Sequence, residues 1–102
     1  MAQGDAPVLA TLAEMNAASL ARVELDPAML VAVRIAALVA SHAPAASYLM
    51  HIAPAIETGV TLEDLQDVLV AVAPIVGTAS VLTAAGHIAE ALGVAVEVAE
   101  SM

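Results

Sequence analysis

A serine and a histidine four residues apart form the pair best suited to chemistry in this sequence. Ser47 and His51 have the spacing that places two side chains on one face of a helix. An imidazole beside a hydroxyl can act as a general acid or base, or can position a substrate oxygen. We therefore predict that His51 and Ser47 are catalytic. The alternative is a partly buried histidine that bonds only to Ser47 or to a backbone carbonyl.

Three further residues could bind a small molecule near this pair. Tyr48 is the only aromatic residue in an aliphatic chain, and it could line a pocket or fill a gap in the core. His87 could supply a second imidazole. Arg34 lies in an apolar run, where an unpaired charge is costly to bury. It must therefore pair with an acid, reach a carboxylate across an interface or bind an anion, and pairing with an acid is the preferred interpretation. All three are predicted substrate-binding residues.

The sequence gives little support for a metal or thiol centre. Imidazole is the commonest metal ligand, but His42, His51 and His87 are not three or four residues apart in any combination. A symmetry axis could still gather three copies of one histidine. The chain has no cysteine, so a thiol nucleophile and disulfides are excluded. We predict no metal and no cofactor.

The charge balance excludes two classes of partner. Two basic and eleven acidic residues give a net charge of −9, whereas nucleic acid binding requires several cations that neutralise phosphates. An anionic membrane surface is equally unsuitable. Residues 1–5 contain no basic segment of the kind that begins a signal peptide. We expect a cytoplasmic protein that binds neither nucleic acid nor a membrane.

Apolar spacing and helix-breaking residues predict five helices in a single domain over residues 1–102. Asp26-Pro27 is typical of a helix start, and Thr61 with Asp64 three residues later indicates a capping box. The predicted helices span Val8 to about Ala21, Pro27 to about His42, roughly Pro44–Thr58 with a kink at Pro54, Thr61 to about Ile75 or Val76, and about Ala79–Leu92. Residues 1–7 are predicted to be frayed, Gly93 to end the fifth helix, and the acidic tail 94–102 to be helix or strand.

The apolar content is too high for one small subunit to bury. Hydrophobic residues make up 62% of the chain, against about 45–50% in ordinary soluble domains. The uncharged stretch 68–86 is long enough for a membrane span, but Pro74 and Gly77 near its middle indicate a turn between two helices. We therefore predict an all-α protein whose surplus apolar surface lies between identical subunits.

Residues 30–89 resemble the carboxymuconolactone decarboxylase family, which includes the alkylhydroperoxidase D-like proteins. The resemblance rests on an ordered set of motifs rather than on one strong signature. The set comprises Arg34-Ile35-Ala36-Ala37-Leu38-Val39, then His51, Gly59-Val60-Thr61, Glu63 and Leu65, then the apolar run 68–77 ending in Pro74-Ile75-Val76-Gly77, and finally His87-Ile88-Ala89. It implies an alkylhydroperoxidase D-like helical fold assembled as a homotrimer or a homohexamer.

The resemblance also bears on the chemistry. Redox-active members have a Cys-x-x-Cys-x-x-x-His motif, and the cysteine positions correspond to Pro44 and Ser47 here, while a relay glutamate would lie around Ala32. The chain is therefore not expected to be a thiol peroxidase. Decarboxylase members keep the histidine, which His51 matches. This implies a cofactor-independent lyase-type enzyme, or a binder of a small apolar or weakly acidic molecule. The alternative is a non-catalytic structural or binding member of the family.

Overall fold

The computed structural model describes the backbone of residues 2–101 and the side chains of residues 6–94 and 97. This part of the chain folds into five α-helices joined by short turns. They are α1 (Ala2–Arg22), α2 (Pro27–Ala40), α3 (Ala45–Glu57), α4 (Leu62–Val76) and α5 (Thr78–Ser101). The predicted all-α fold and the number of helices are confirmed.

Two of the helices begin at the capping residues that the sequence indicated. Asp26 Oδ1 accepts the backbone N–H of Met29 at 2.9 Å, with Pro27 as the first residue of α2. At the start of α4, Thr61 Oγ1 accepts the N–H of Asp64 at 3.1 Å, and Asp64 Oδ2 accepts the N–H of Thr61 at 2.9 Å. This reciprocal capping box satisfies two otherwise unpaired N–H groups at the helix start.

A left-handed residue ends both α2 and α3. His42 has φ = 57° and Gly59 has φ = 90°. After α2, the N–H groups of His42 and Ala43 donate back to the carbonyls of Val39 and Leu38, and Gly59 and the residue after it do the same at the end of α3. This is the Schellman arrangement. It ends α2 at Ala40, two residues before the predicted end at about His42.

The outer helices are longer than predicted. The backbone is already helical at Ala2, so the prediction of a frayed segment up to Pro7 was wrong for residues 2–7, and Met1 lies outside the described residues. Gly93 does not end α5, which continues to Ser101, because a glycine stops a helix only when it adopts a positive φ. The tail is therefore helix rather than strand as far as Ser101, and Met102 is not described.

Helices α2 to α5 enclose one apolar core. Helix α3 packs on α5 and on α2, and α4 packs on α2 and α5. The largest fully buried side chains are Tyr48, Ile35, Ile52 and Val39. The remaining core members are Ala55, Leu65, Leu69, Ala84, Ile88 and Ala91. Helix α1 lies outside this core, and every described side chain from residue 6 to residue 22 is exposed.

Many large apolar side chains face solvent in the single chain. Those at least two-thirds exposed are Met50, Val70, Ile75 and Leu82, and α1 adds Val8, Leu9, Leu12, Met15 and Leu20. Surfaces this apolar are usually covered by a partner, and assembly of identical chains stays a prediction. Gly77, with φ = 91°, separates α4 from α5 at the predicted turn. Among the described residues, no helix combines the length and apolar character needed to cross a membrane.

Candidate functional site

Helix α3 carries three of the predicted site residues along one side. Tyr48 points into the core and is 1% exposed, while Ser47 and His51 are half-buried on either side of it along the helix. Helix α5 contributes the half-buried His87, and α2 contributes the half-buried Arg34. These positions follow from the packing of α3 against both α5 and α2. The candidate site is defined here as these five residues.

Tyr48 and His87 form an aromatic pair between α3 and α5. Their ring centroids are 5.7 Å apart and the ring planes are inclined by 30°. This is within the separation at which aromatic rings attract each other. Burial raises the pKa of Tyr48, so its hydroxyl keeps its proton at neutral pH. The structure therefore brings together two predicted binding residues that are far apart in the sequence.

The imidazole of His51 is kept in its neutral form. Its pKa is lowered first by burial, which disfavours the charged imidazolium, and second by the positive charge of Arg34. A neutral imidazole has a free lone pair and can accept a proton at neutral pH. His51 and Tyr48 are three residues apart on α3, so a potential base and a protonated phenol lie one helical turn from each other.

Arg34 bonds to α1 through neutral acceptors. Its Nη1 donates to Asn16 Oδ1 at 2.5 Å and its Nη2 donates to Ser19 Oγ at 3.1 Å. The preferred interpretation of the sequence, a salt bridge to an acid, was therefore wrong for the described residues. Both acceptors lie on α1, whose amphipathic pattern gave no indication of a contact with α2. Within the described residues, the hydrogen-bond partners of Arg34 carry no charge.

Ser47 and His51 share the predicted face of α3, but their side chains do not hydrogen-bond to each other in the described structure. Both are half-buried, as the helical spacing required. The prediction that Ser47 is catalytic remains a prediction. His42 is exposed in the turn after α2. No group of three or more histidine and acidic residues within the described part of the chain is arranged to hold a metal ion.

Two surface grooves lie away from the candidate site. One, of about 370 Å³ between α2 and α4, has an apolar lining and three aspartates, Asp26, Asp64 and Asp67. The other, of about 380 Å³ between α4 and α5, is lined almost wholly by leucine, isoleucine and alanine, with Gln66 as its polar member. Sequence reasoning did not find these grooves, because residues on an apolar helix face do not reveal whether a neighbouring helix covers them. Two of the three aspartates are helix caps, as predicted.

Comparison with known proteins places the chain in a family. The sequence model of the carboxymuconolactone decarboxylase family matches residues 6–91, which include most of α1, all of α2, α3 and α4, and the first part of α5. Neither the curated proteins nor the solved structures gave a significant match. All five residues of the candidate site lie within the matched range. The absence of cysteine from the sequence agrees with a member that lacks the Cys-x-x-Cys pair. This chain belongs to the carboxymuconolactone decarboxylase family.

Proposed function

We propose that this protein is a cofactor-independent, histidine-dependent member of its family, a lyase-type enzyme acting on a small carboxylate-bearing molecule. One observation carries the proposal: on a single turn of α3, His51 has a lowered pKa and Tyr48 has a raised one. Environments that separate the pKa values of two neighbouring groups are typical of acid–base pairs. The neutral imidazole serves as the base, and the protonated phenol serves as a hydrogen-bond donor.

The charge of Arg34 adds a reason to expect an anionic substrate. It lowers the pKa of His51, so it acts electrostatically on this part of the surface, and it has only neutral partners within the described chain. In a decarboxylation, the carbon–carbon bond to the carboxylate breaks, carbon dioxide leaves, and the bonding electron pair stays on the remaining carbon, which then takes up a proton. His51 can take up a proton and return it during such a reaction.

The proposed mechanism does not use a thiol. The chain contains no cysteine, and Pro44 and Ser47 occupy the positions that correspond to the redox pair. Pro44 is the residue immediately before α3, and Ser47 lies in its first turn. Disulfide cycling needs a thiolate nucleophile, which neither residue can supply. We therefore propose that the protein does not reduce peroxides.

The second candidate is a non-catalytic binding or structural member. It is favoured by the position of the two grooves, neither of which is lined by a residue of the candidate site. A protein that had kept only the helical fold would still bury Tyr48 in its core. The two candidates differ in one respect, which is whether His51 is needed for anything beyond folding.

Turnover of a carboxymuconolactone by the full chain tests the two candidates. We expect carbon dioxide release from the wild type and a loss of about 100-fold or more in His51→Gln, the usual contribution of a general acid or base. The matched control is His42→Gln, which changes an exposed histidine outside the site and should keep the wild-type rate. An inactive wild type, or equal rates in wild type and His51→Gln, would favour the second candidate, a non-catalytic member of the family.

A further inference from the structure

We propose that α1 of one chain docks in the groove between α2 and α4 of a second copy of the chain, with Arg22 facing Asp67. This groove is the one whose lining includes three aspartates. The contact runs head to tail, so that each chain offers its α1 to one neighbour and its groove to another. The inference does not depend on the proposed role of His51.

The docking surface on α1 is a single stripe of side chains. Val8, Leu12 and Met15 follow the i, i+4, i+7 spacing that places residues on one helix face, and each is more than half exposed. Arg22 comes seven residues after Met15 and continues the same stripe. Apolar residues at this spacing are typical of a helix that lies in the apolar groove of a partner. The stripe is therefore an apolar ridge that ends in a cation.

The attachment of α1 to its own chain leaves this ridge uncovered. Arg34 holds α1 through Asn16 and Ser19, yet α1 does not pack on the core helices, and its described side chains are all exposed. Contiguous apolar surface of this kind usually marks an interaction site. A neighbouring subunit that covers the ridge removes it from water.

The groove between α2 and α4 has the complementary chemistry. It has a volume of about 370 Å³, and its lining combines apolar side chains such as Met29 and Val68 with Asp26, Asp64 and Asp67. Asp26 and Asp64 each use a carboxylate oxygen to cap a helix. Asp67 lies inside α4, beyond the capping residues, and is exposed. It is therefore the acid of the groove best placed to pair with a partner.

Charge selects both the groove and its occupant. The chain has eleven acidic residues and only two arginines or lysines, Arg22 and Arg34. Because Arg34 already bonds to α1 of its own chain, Arg22 is the cation that α1 brings to a neighbour. The lining of the groove between α4 and α5 contains no acid. Chains of net charge −9 repel one another, so a favourable contact must place this cation against carboxylates.

The contact joins two different surfaces of the chain. The ridge belongs to α1, whereas α2 and α4 form the groove, so the same contact can repeat from each chain to the next. Heterologous contacts of this kind close into rings when the rotation between subunits allows it. A ring of three agrees with the homotrimer that the family resemblance implies.

Sedimentation velocity of charge-reversal variants tests the contact. At micromolar concentration and fixed ionic strength, Arg22→Glu and Asp67→Arg should each weaken association by about tenfold or more, because like charges then face each other across the interface. The double variant Arg22→Glu/Asp67→Arg should recover the wild-type mass. The matched control is Glu90→Arg, which makes the same change in net charge at an exposed residue of α5 that lines neither groove. It should assemble at least as well as the wild type.

Mixing the two single variants tests whether the contact lies between chains and in a ring. Contacts between unlike chains then pair opposite charges, so assembly should reappear. A ring of three built from two kinds of chain always contains at least one contact between like chains. The mixture should therefore assemble less completely than the double variant, in which every contact is matched.

Several results would overturn the proposal. Wild-type association in both single variants would show that something other than α1, such as a basic helix of another protein, covers the groove. Weak association in the double variant as well would exclude a direct pair. A mixture that assembles as fully as the double variant would indicate a twofold contact rather than a ring. Circular dichroism should confirm that each variant is folded, and Arg22→Gln and Asp67→Asn replace any that is not.

Discussion

The ring of Tyr48 on α3 lies 5.7 Å from the ring of His87 on α5, although 38 residues separate them in the sequence. The pair joins the most deeply buried part of the core to the half-buried edge of the candidate site. The ring of Tyr48 thus has a packing role, and the proposed function adds a separate role for its hydroxyl.

Substitution of Tyr48 should separate these roles. Tyr48→Ala removes a ring that is 1% exposed and should lower the free energy of unfolding by about 3–5 kcal/mol, as for other aromatic-to-alanine changes in cores. Tyr48→Phe keeps the ring and its contact with His87, so its urea denaturation midpoint should stay close to that of the wild type while turnover falls. A large loss of stability in Tyr48→Phe would show that the hydroxyl is structural.

The titration of His51 should depend on Arg34. Because the charge of Arg34 contributes to lowering the pKa of His51, Arg34→Gln should move that pKa upward, towards the ordinary value for histidine. The chemical shift of the imidazole C2–H against pH measures the change. Arg22→Gln is the control, since Arg22 is exposed at the end of α1, and it should leave the titration of His51 unaltered. An equal shift in both variants would contradict a specific effect of Arg34.

The lowered pKa of His51 also predicts how stability changes with pH. The unfolded chain takes up a proton near the ordinary histidine pKa, about 6.5, before the folded chain does. The unfolded state therefore binds more protons between the two values, and folding stability falls as the pH drops from about 6.5 through the folded pKa of His51. Urea denaturation at a series of pH values should show this slope, and His51→Gln should reduce it. A slope unchanged in His51→Gln would assign the effect to other groups.

The left-handed turn residue after α2 offers a stabilising substitution. His42 has φ = 57°, a conformation that costs a non-glycine residue about 1–2 kcal/mol, and its side chain is exposed. His42→Gly should therefore raise the free energy of unfolding by about 1 kcal/mol. Gly59→Ala should lower it by a similar amount, because a Cβ there has open space around it but the φ of 90° is unfavourable. Thermal denaturation should show a higher melting temperature for His42→Gly and a lower one for Gly59→Ala than for the wild type.

The exposed apolar surface predicts self-association. Met50, Val70 and Ile75 are at least 70% exposed in the single chain, and patches of this kind are usually covered in assemblies. Sedimentation of the wild type should give a mass of three or six chains of 10.2 kDa each. A species of 10.2 kDa that persists at micromolar concentrations would contradict the prediction, as would a mass that fits neither a trimer nor a hexamer.

The sequence by itself determined the helices and several of their ends. Asp26, Thr61 and Asp64 cap helices where the sequence placed them, because capping depends on residues only two or three positions apart. The family could also be inferred, since the ordered motifs around His51 and Gly59 are local patterns. The end of α2 was predicted to within two residues, although a positive φ at His42 could not be foreseen because histidine rarely adopts one. The end of α5 was wrong because the sequence does not distinguish a glycine inside a helix from one that follows it.

Only the tertiary structure decided which of the candidate residues meet. The contact of Tyr48 with His87 depends on how α3 packs on α5, and the bonds of Arg34 to Asn16 and Ser19 depend on where α1 lies relative to α2. Neither contact can be predicted from the spacing of residues in the sequence, because each is set by the packing of side chains between helices that are distant along the chain. The direction of the pKa shift of His51 has the same origin, since burial and the nearby charge exist only once the helices have assembled.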